Sequence, residues 1–249
     1  MLVTFSGDSH THLISLLATY QQGNEYYLIF PWAGGDLRSY WRDINPQPIV
    51  NRDTTTWVAE QCYGIARGLS KIHQHETAYS RKSGDHPFVP KELISSRSRS
   101  VSLKLFGRHG DIKPQNILWF DRVHNELERP TLKITDLGLA EFKTSVANIY
   151  KSPSKVSMTA AYRPPEYDTE NGKVGRSHDI WALGCLYLEM AAWLLGGWDL
   201  VQEFERLRVA ETTGPRSPRA TEGTFFKVKS ISESGVWEVV IKPTVTKVS

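Results

Sequence analysis

The sequence predicts an α+β fold in which about one β-hairpin precedes a mainly helical large lobe. Three observations carry this reading. A helix-period pattern runs from Thr54 to about Gln74, and a second helix, apolar nearly all round, covers Ile180 to Trp193. Two strand-like runs, Leu13 to Tyr20 and Glu25 to Phe30, flank the hairpin composition Gln21-Gln22-Gly23-Asn24. Two more, Ile117 to Phe120 and Leu132 to Thr135, flank a polar turn from Asp121 to Pro130.

Bulk composition limits the function classes. With 249 residues, 40% of them hydrophobic, the chain can bury a core and reads as a single domain or a large part of one. Thirty Lys and Arg against 27 Asp and Glu leave a net charge of +3, too little to argue for nucleic acid or membrane as partners. Cys62 and Cys185 each sit in an apolar run and read as free buried thiols, which favours a reducing compartment. No stretch approaches the ~20 apolar residues of a membrane span, and the N-terminus lacks a signal-peptide pattern. The expectation is a soluble intracellular protein, cytoplasmic or nuclear.

Taken in order, the first hairpin has strands apolar enough for a sheet interior, yet two strands alone are marginal in water. The connector Pro31-Trp32-Ala33-Gly34-Gly35-Asp36 has the composition of a hinge between lobes and opens onto a short helix, Leu37 to Arg42. In the next helix Asp53 or Thr54 is available as N-cap, and Val58, Cys62, Ile65, Leu69 and Ile72 share one face. His73 and His75 read as surface histidines at its end rather than metal ligands.

Residues 77 to 104, with a Ser/Arg run from Ser95 to Ser102, lack an apolar period and read as an exposed insertion. Residues 139 to 162 read as a long surface loop closed by Pro164-Pro165-Glu166. Ser177-His178-Asp179 offers an N-cap for the apolar helix, and Leu200 to Leu207 can form one more helix. Residues 209 to 249 read as linker-like, with Val236 to Ile241 a strand lacking an obvious partner.

The chemistry-bearing stretch is His109-Gly110-Asp111-Ile112-Lys113-Pro114-Gln115-Asn116. An acid at Asp111 can orient an attacking hydroxyl or accept its proton, and the amide of Asn116 can help hold Mg²⁺. Lys113 between them can neutralise a phosphate. The 117–135 hairpin brings Asn116 near a second carboxylate, Asp136, in Thr135-Asp136-Leu137-Gly138. Together these residues read as phosphoryl transfer.

The catalytic loop, Asp136-Leu137-Gly138, Pro164-Pro165-Glu166 and Asp179-Ile180-Trp181-Ala182-Leu183-Gly184 occur in an order and spacing that resembles the eukaryotic protein kinases over roughly residues 12 to 208. Lys113-Pro114 is similar to the serine/threonine branch. Phe30-Pro31-Trp32-Ala33 and Trp193-Leu194-Leu195-Gly196-Gly197-Trp198 are more loosely similar to kinases of filamentous fungi. The resemblance implies a protein-kinase-like fold. Residues 12–30 would be a remnant of the N-terminal lobe sheet, 31–36 the hinge, and 37–208 the C-terminal lobe carrying the 77–104 insertion.

It further implies ATP and Mg²⁺ as cofactors and a Ser/Thr-bearing protein as substrate. Asp111 would be the catalytic base, Lys113 would contact the transferring phosphate, and Asn116 and Asp136 would hold the metal. Phe30 and Trp32 would bond adenine through their backbone beside the gatekeeper Ile29, Asp36 would reach the ribose, and Leu118 would pack beneath adenine. Leu16, His109, Leu137 and Asp179 would connect the lobes, and Thr159 would touch Asp111 and Lys113.

Departures from the pattern set limits. Gly110 stands where many kinases carry an arginine that pairs with an activation-loop phosphate. These 249 residues contain no Gly-rich phosphate loop, ATP-binding lysine or partner glutamate ahead of Leu13, and no recognisable arginine for Glu166. The expectation is a kinase domain truncated at both ends, with transfer impaired in this chain. The alternatives are a non-catalytic remnant that binds protein and a small-molecule phosphotransferase of the aminoglycoside or choline kinase type. Lys113-Pro114, Pro-Pro-Glu and Asp-Ile-Trp-Ala-Leu-Gly argue against the last.

Overall fold

The computed structural model describes residues 10–80, 100–121, 129–137, 140–143, 159–168, 173–211, 223–230 and 237–247. The order of elements is β1 (Ala18–Gln22), β2 (Glu25–Ile29), β3 (Gly35–Asp36), α1 (Leu37–Ser39), α2 (Arg52–His73), β4 (His75–Ser80) and β5 (Ser100–Arg108). There follow β6 (Ile117–Phe120), β7 (Thr131–Ile134), β8 (Glu141–Lys143), α3 (Arg176–Ala210), β9 (Phe226–Ser230), β10 (Trp237–Ile241) and α4 (Pro243–Thr246).

β1 and β2 form the expected antiparallel hairpin, Gln22 facing Glu25 across a two-residue turn in which Gly23 has φ +62°. All ten strand residues are exposed, which corrects the reading of these strands as sheet interior. The run also starts later than predicted: Leu13 makes a parallel bridge to Ile134 instead of joining β1. The connector after β2 folds back to add β3 to the edge of β6, with Gly35 opposite Trp119 and Asp36 opposite Leu118. Gly34 permits this approach, since a Cβ there would lie 2.2 Å from the Trp119 ring. Asp36 caps α1 by accepting from Ser39 N at 2.9 Å, and the chain continues as a π-helical turn, Tyr40–Ile44.

α2 and α3 hold the core. On α2, Val58, Ile65, Leu69 and Ile72 are buried as their spacing predicted, while Cys62 is half-buried. Its N-cap is Asn51, whose side chain accepts from Thr54 N at 2.8 Å, rather than Asp53 or Thr54. Trp57 Nε1 donates to Pro130 O at 2.8 Å, and Leu132 N donates to Gln61 Oε1 at 3.0 Å, fixing α2 to the β6–β7 hairpin. That hairpin forms as expected, its second strand one residue earlier than Leu132 to Thr135, with Ile117 paired to Ile134 and Phe120 to Thr131.

α3 begins at Arg176, and its cap, Gly175, lies two residues before the first of the predicted cap residues, Ser177-His178-Asp179. The backbone leaves helical geometry at Gly196–Gly197, and the further helix expected from Leu200 to Leu207 follows beyond that break. Gly197 has φ +69°, and a Cβ there would meet Pro46 O at 2.3 Å; the neighbouring Trp198 N donates to that carbonyl at 2.7 Å. By length and composition α3 is apolar enough to cross a membrane, contrary to expectation. Here it is the core helix, packing Leu186, Met190 and Trp193 against Tyr40, Trp57 and Ile65 and burying Asp179, Glu189 and Arg208.

Two further corrections concern segments read as loops. The flanks of the 77–104 insertion pair as β4 and β5, and β5 also pairs with β8; residues 81–99 lie outside the described residues. The C-terminal part is not linker-like where it is described. β10 finds its partner in β9, and Phe225, Phe226 and Lys242 are fully buried. The proposed turn residues 122–128, loop residues 144–158 and linker residues 212–222 also lie outside the described residues.

Candidate active site

The loop between β5 and β6 is held from below by one carboxylate. Asp179, fully buried near the start of α3, accepts from His109 N through Oδ2 and from Gly110 N through Oδ1, both at 2.8 Å. His73 Nε2 lies 2.8 Å from Asp179 Oδ2, so His73 is an internal partner rather than a surface histidine; the side chain of His75 lies outside the described residues. Burial pushes the Asp179 carboxyl upward, but the His73 bond, the neighbouring histidines and the backbone donors outweigh it and leave its pKa below the ordinary value.

The His109 ring reads its own tautomer. Nε2 faces Thr135 O at 2.8 Å, a pure acceptor, and Nδ1 accepts from Asp111 N at 3.2 Å, so the proton sits on Nε2. Gly110 has φ +89°, a backbone conformation that side-chain-bearing residues rarely adopt. This gives a local reason for glycine where the family pattern has arginine.

Three predicted residues meet at Asp111. Lys113 Nζ lies 2.7 Å from Asp111 Oδ2 and donates to Thr159 Oγ1 at 2.8 Å; Thr159 in turn donates to Asp111 Oδ1 at 2.7 Å. Asn116 Nδ2 donates to Asp111 O at 2.8 Å and to Oδ2 at 3.0 Å. Burial raises the Asp111 pKa, yet hydrogen bonds from Lys113, Thr159 and Asn116 and the lysine charge carry it below the ordinary carboxylate value. The carboxylate is therefore ionised and aimed, suited to orienting a hydroxyl more than to tearing off its proton.

The fit to a divalent cation rests on Asn116 and Asp136. Both side-chain hydrogen bonds of Asn116 use the amide nitrogen, which leaves its oxygen as a cation ligand. Thr135 N donates to Asn116 O at 3.0 Å, so the next residue, Asp136, starts beside it. Asp136 is the one non-glycine residue with positive φ, +58°, among those described, and it is exposed. One amide oxygen and one carboxylate are hard oxygen donors of the kind Mg²⁺ takes beside phosphate oxygens.

The residues expected to meet a nucleotide base are placed less closely. Leu118 is half-buried on β6, and Asp36 spends one oxygen capping α1. Ile29 is 43% exposed, Phe30 36% and Trp32 95%. Leu16 is half-buried, and Leu137 packs on the core. Gly138 is outside the described residues.

Comparison with known sequences points to one family for the stretch that holds the site. The family described as protein kinase domain matches residues 106–195, which hold the Asp111 loop, Asp136 and the first half of α3. This stretch of the chain is similar to the protein kinase family. Cyclin-dependent kinase 14 of Callithrix jacchus is 32% identical over 143 residues, covering 55% of this chain and 31% of that protein. The same kinase of Plecturocebus moloch is also 32% identical over 143 residues, covering 55% and 30%. The chain spans about a third of the length of these curated relatives. Among solved structures, the crystal structure of the yeast RNA Pol II CTD kinase CTDK-1 complex is 21% identical, covering 76% of this chain and 47% of that one, with a TM-score of 0.49.

Sequence reasoning missed one cluster in the kinase segment and its continuation. Arg208 Nη2 lies 2.8 Å from Glu189 Oε1, Tyr162 Oη donates to Glu189 Oε2 at 2.6 Å, and the Arg208 guanidinium stacks on Phe225 at 4.0 Å. The signal was available as two charges, Glu189 and Arg208, placed on a helix whose neighbours are apolar. Glu166 accepts from Ser177 Oγ at 3.1 Å.

Proposed function

We propose that the site performs serine/threonine protein kinase chemistry, the transfer of the ATP γ-phosphoryl group to a protein hydroxyl. The observation that carries this reading is the Asp111–Lys113–Thr159 triangle braced by Asn116. Asp111 would hold the incoming hydroxyl in line, and Lys113 would offset charge on the transferring phosphoryl group. Asn116 and Asp136 would hold Mg²⁺, which neutralises the phosphates when bound. Phe30, Trp32, Asp36 and Leu118 would line the nucleotide.

The 31–36 connector would serve as the hinge, and residues 37–208 would carry the phosphoryl-transfer machinery. The two cysteines, both free thiols, support an intracellular setting.

The test is Mg²⁺-dependent transfer from γ-labelled ATP to a mixed Ser, Thr and Tyr peptide pool, using this 249-residue chain. We expect slow transfer, confined to Ser and Thr and lost in Asp111→Asn. Label on an aminoglycoside or on choline, or peptide transfer that survives Asp111→Asn, would overturn the reading.

A further inference from the structure

Tyr162, Glu189 and Arg208 form a buried polar cluster that includes no residue of the Asp111 site. Burial, and then the Glu189 charge, push the Tyr162 hydroxyl well above its ordinary pKa, so it stays a donor to Glu189. Arg208 is clamped from its other side. Its guanidinium lies over Phe204 at 4.4 Å as well as over Phe225, its Nε donates to Gly223 O at 3.3 Å, and its carbonyl accepts from Lys242 Nζ.

Two observations connect this cluster to the site. Tyr162 N donates to Thr159 O at 3.1 Å, closing the single turn Ala160–Tyr162 of which Thr159 is the cap residue. Thr159 is also the residue whose hydroxyl bridges Lys113 and Asp111. That turn has no side-chain cap bond, and Tyr162 anchors it to α3 through Glu189. A buried ion pair adds little net stability over well-packed apolar side chains, and its attested use is to fix one arrangement.

We propose that Glu189 and Arg208 are positioning residues for phosphoryl transfer, which through Tyr162 hold Thr159 against Asp111 and Lys113. This rests on the kinase reading of the Asp111 site. Arg208, Phe225 and Lys242 lie beyond residues 106–195, the stretch similar to protein kinases, so the C-terminal part of the chain becomes a working part of the site.

The experiment follows the Asp111 carboxyl by NMR titration in the full chain, beside steady-state peptide phosphorylation. Tyr162→Phe keeps the ring and removes the hydroxyl. Thr159 then loosens from the carboxylate, so the Asp111 pKa should rise toward the ordinary carboxylate value. In the same variant kcat should fall about 5-fold or more while the KM for ATP holds. Glu189→Met combined with Arg208→Met removes both charges together, leaving neither buried alone, and should give the same two changes. This pair carries the test if the tyrosine variant fails to fold. In a Thr159→Ala background, Tyr162→Phe should leave the Asp111 titration where Thr159→Ala alone puts it, because the route is already cut.

A folded Tyr162→Phe variant whose Asp111 titrates as in the parent chain overturns the proposal. So does an equal shift with and without Thr159, which is what a general loosening of the fold would give. The titration needs no turnover. A parent chain that transfers no phosphate fails the kinase reading, while the titration still decides whether the cluster holds Thr159.

Discussion

Thr159 uses one hydroxyl twice, accepting from Lys113 and donating to Asp111. Removing it frees the lysine and takes one donor from the carboxylate. Thr159→Ala should therefore raise the Asp111 pKa toward the ordinary carboxylate value, read by carboxylate NMR titration, and slow peptide phosphorylation by about 10-fold or more; Thr159→Ser should retain both. The sign follows from linkage. A carboxyl whose folded pKa lies below its unfolded value contributes stability above the unfolded value, lost as pH falls through the folded pKa. Thr159→Ala should thus show a smaller acid-side loss of stability than the parent chain. An unchanged Asp111 titration would mean that Thr159 does not hold the carboxylate in solution.

Among the elements, α3 carries the most divided duty. Its inner stripe is core, its outer stripe at Gly184 faces open space beside the C-terminal hairpin, and glycine in a helix interior is a poor choice unless space is wanted. Gly184→Ala should stabilise the chain by about 0.5–1 kcal/mol in urea denaturation, since the added methyl meets nothing and the unfolded chain loses freedom. A destabilisation would show that the helix needs glycine for some other reason. The contrast is Gly197, where positive φ and the Pro46 carbonyl leave no room for a side chain. At the start of α2, Asn51→Ala removes a side-chain cap and should cost about 1 kcal/mol. The β1–β2 hairpin rests on its own pairing and the Tyr20–Tyr27 stack, at 4.7 Å between ring centroids, with every strand residue exposed.

Across the fold, two buried charge centres tie distant segments together. Asp179 joins α2 through His73 to the loop between β5 and β6 through His109 and Gly110. Asp179→Ala leaves two buried backbone donors and His73 without their acceptor and should cost about 3–5 kcal/mol by chemical denaturation; a loss under 1 kcal/mol would overturn this account. The other centre fastens the C-terminal part. Lys242 Nζ donates to Arg208 O at 2.6 Å, and Lys242 N donates to Phe225 O at 3.1 Å.

Burial, and then the charge of Arg208, lower the Lys242 pKa from 10.5 to about 8. The folded state therefore prefers the neutral amine relative to the unfolded chain. Its penalty is constant below about pH 8 and fades as pH rises toward the unfolded value. Thermal stability should thus climb between pH 8 and pH 10 more steeply in the parent chain than in Lys242→Met.

What could be read from the sequence was what repeats locally or is chemically rare. The helical period of Val58, Ile65, Leu69 and Ile72, the Gly23-Asn24 turn and the pairing of Ile117 to Phe120 with the strand after Pro130 all lie within one element or one hairpin. The spacing of Asp111, Lys113, Asn116 and Asp136 likewise identified the residues that share the loop and its neighbouring turn, because chemistry of this kind needs those groups on a short stretch. The rest depended on residues far apart in the chain. Whether β1 and β2 were buried depended on what packs over them. The partner of β10 was another C-terminal strand, and His73, 106 residues from Asp179, became internal only once α2 and α3 crossed. Burial and ion pairing over such separations are settled by packing, and no local period reports them. For the same reason the space beside Gly184 appears only when the C-terminal hairpin is set opposite α3.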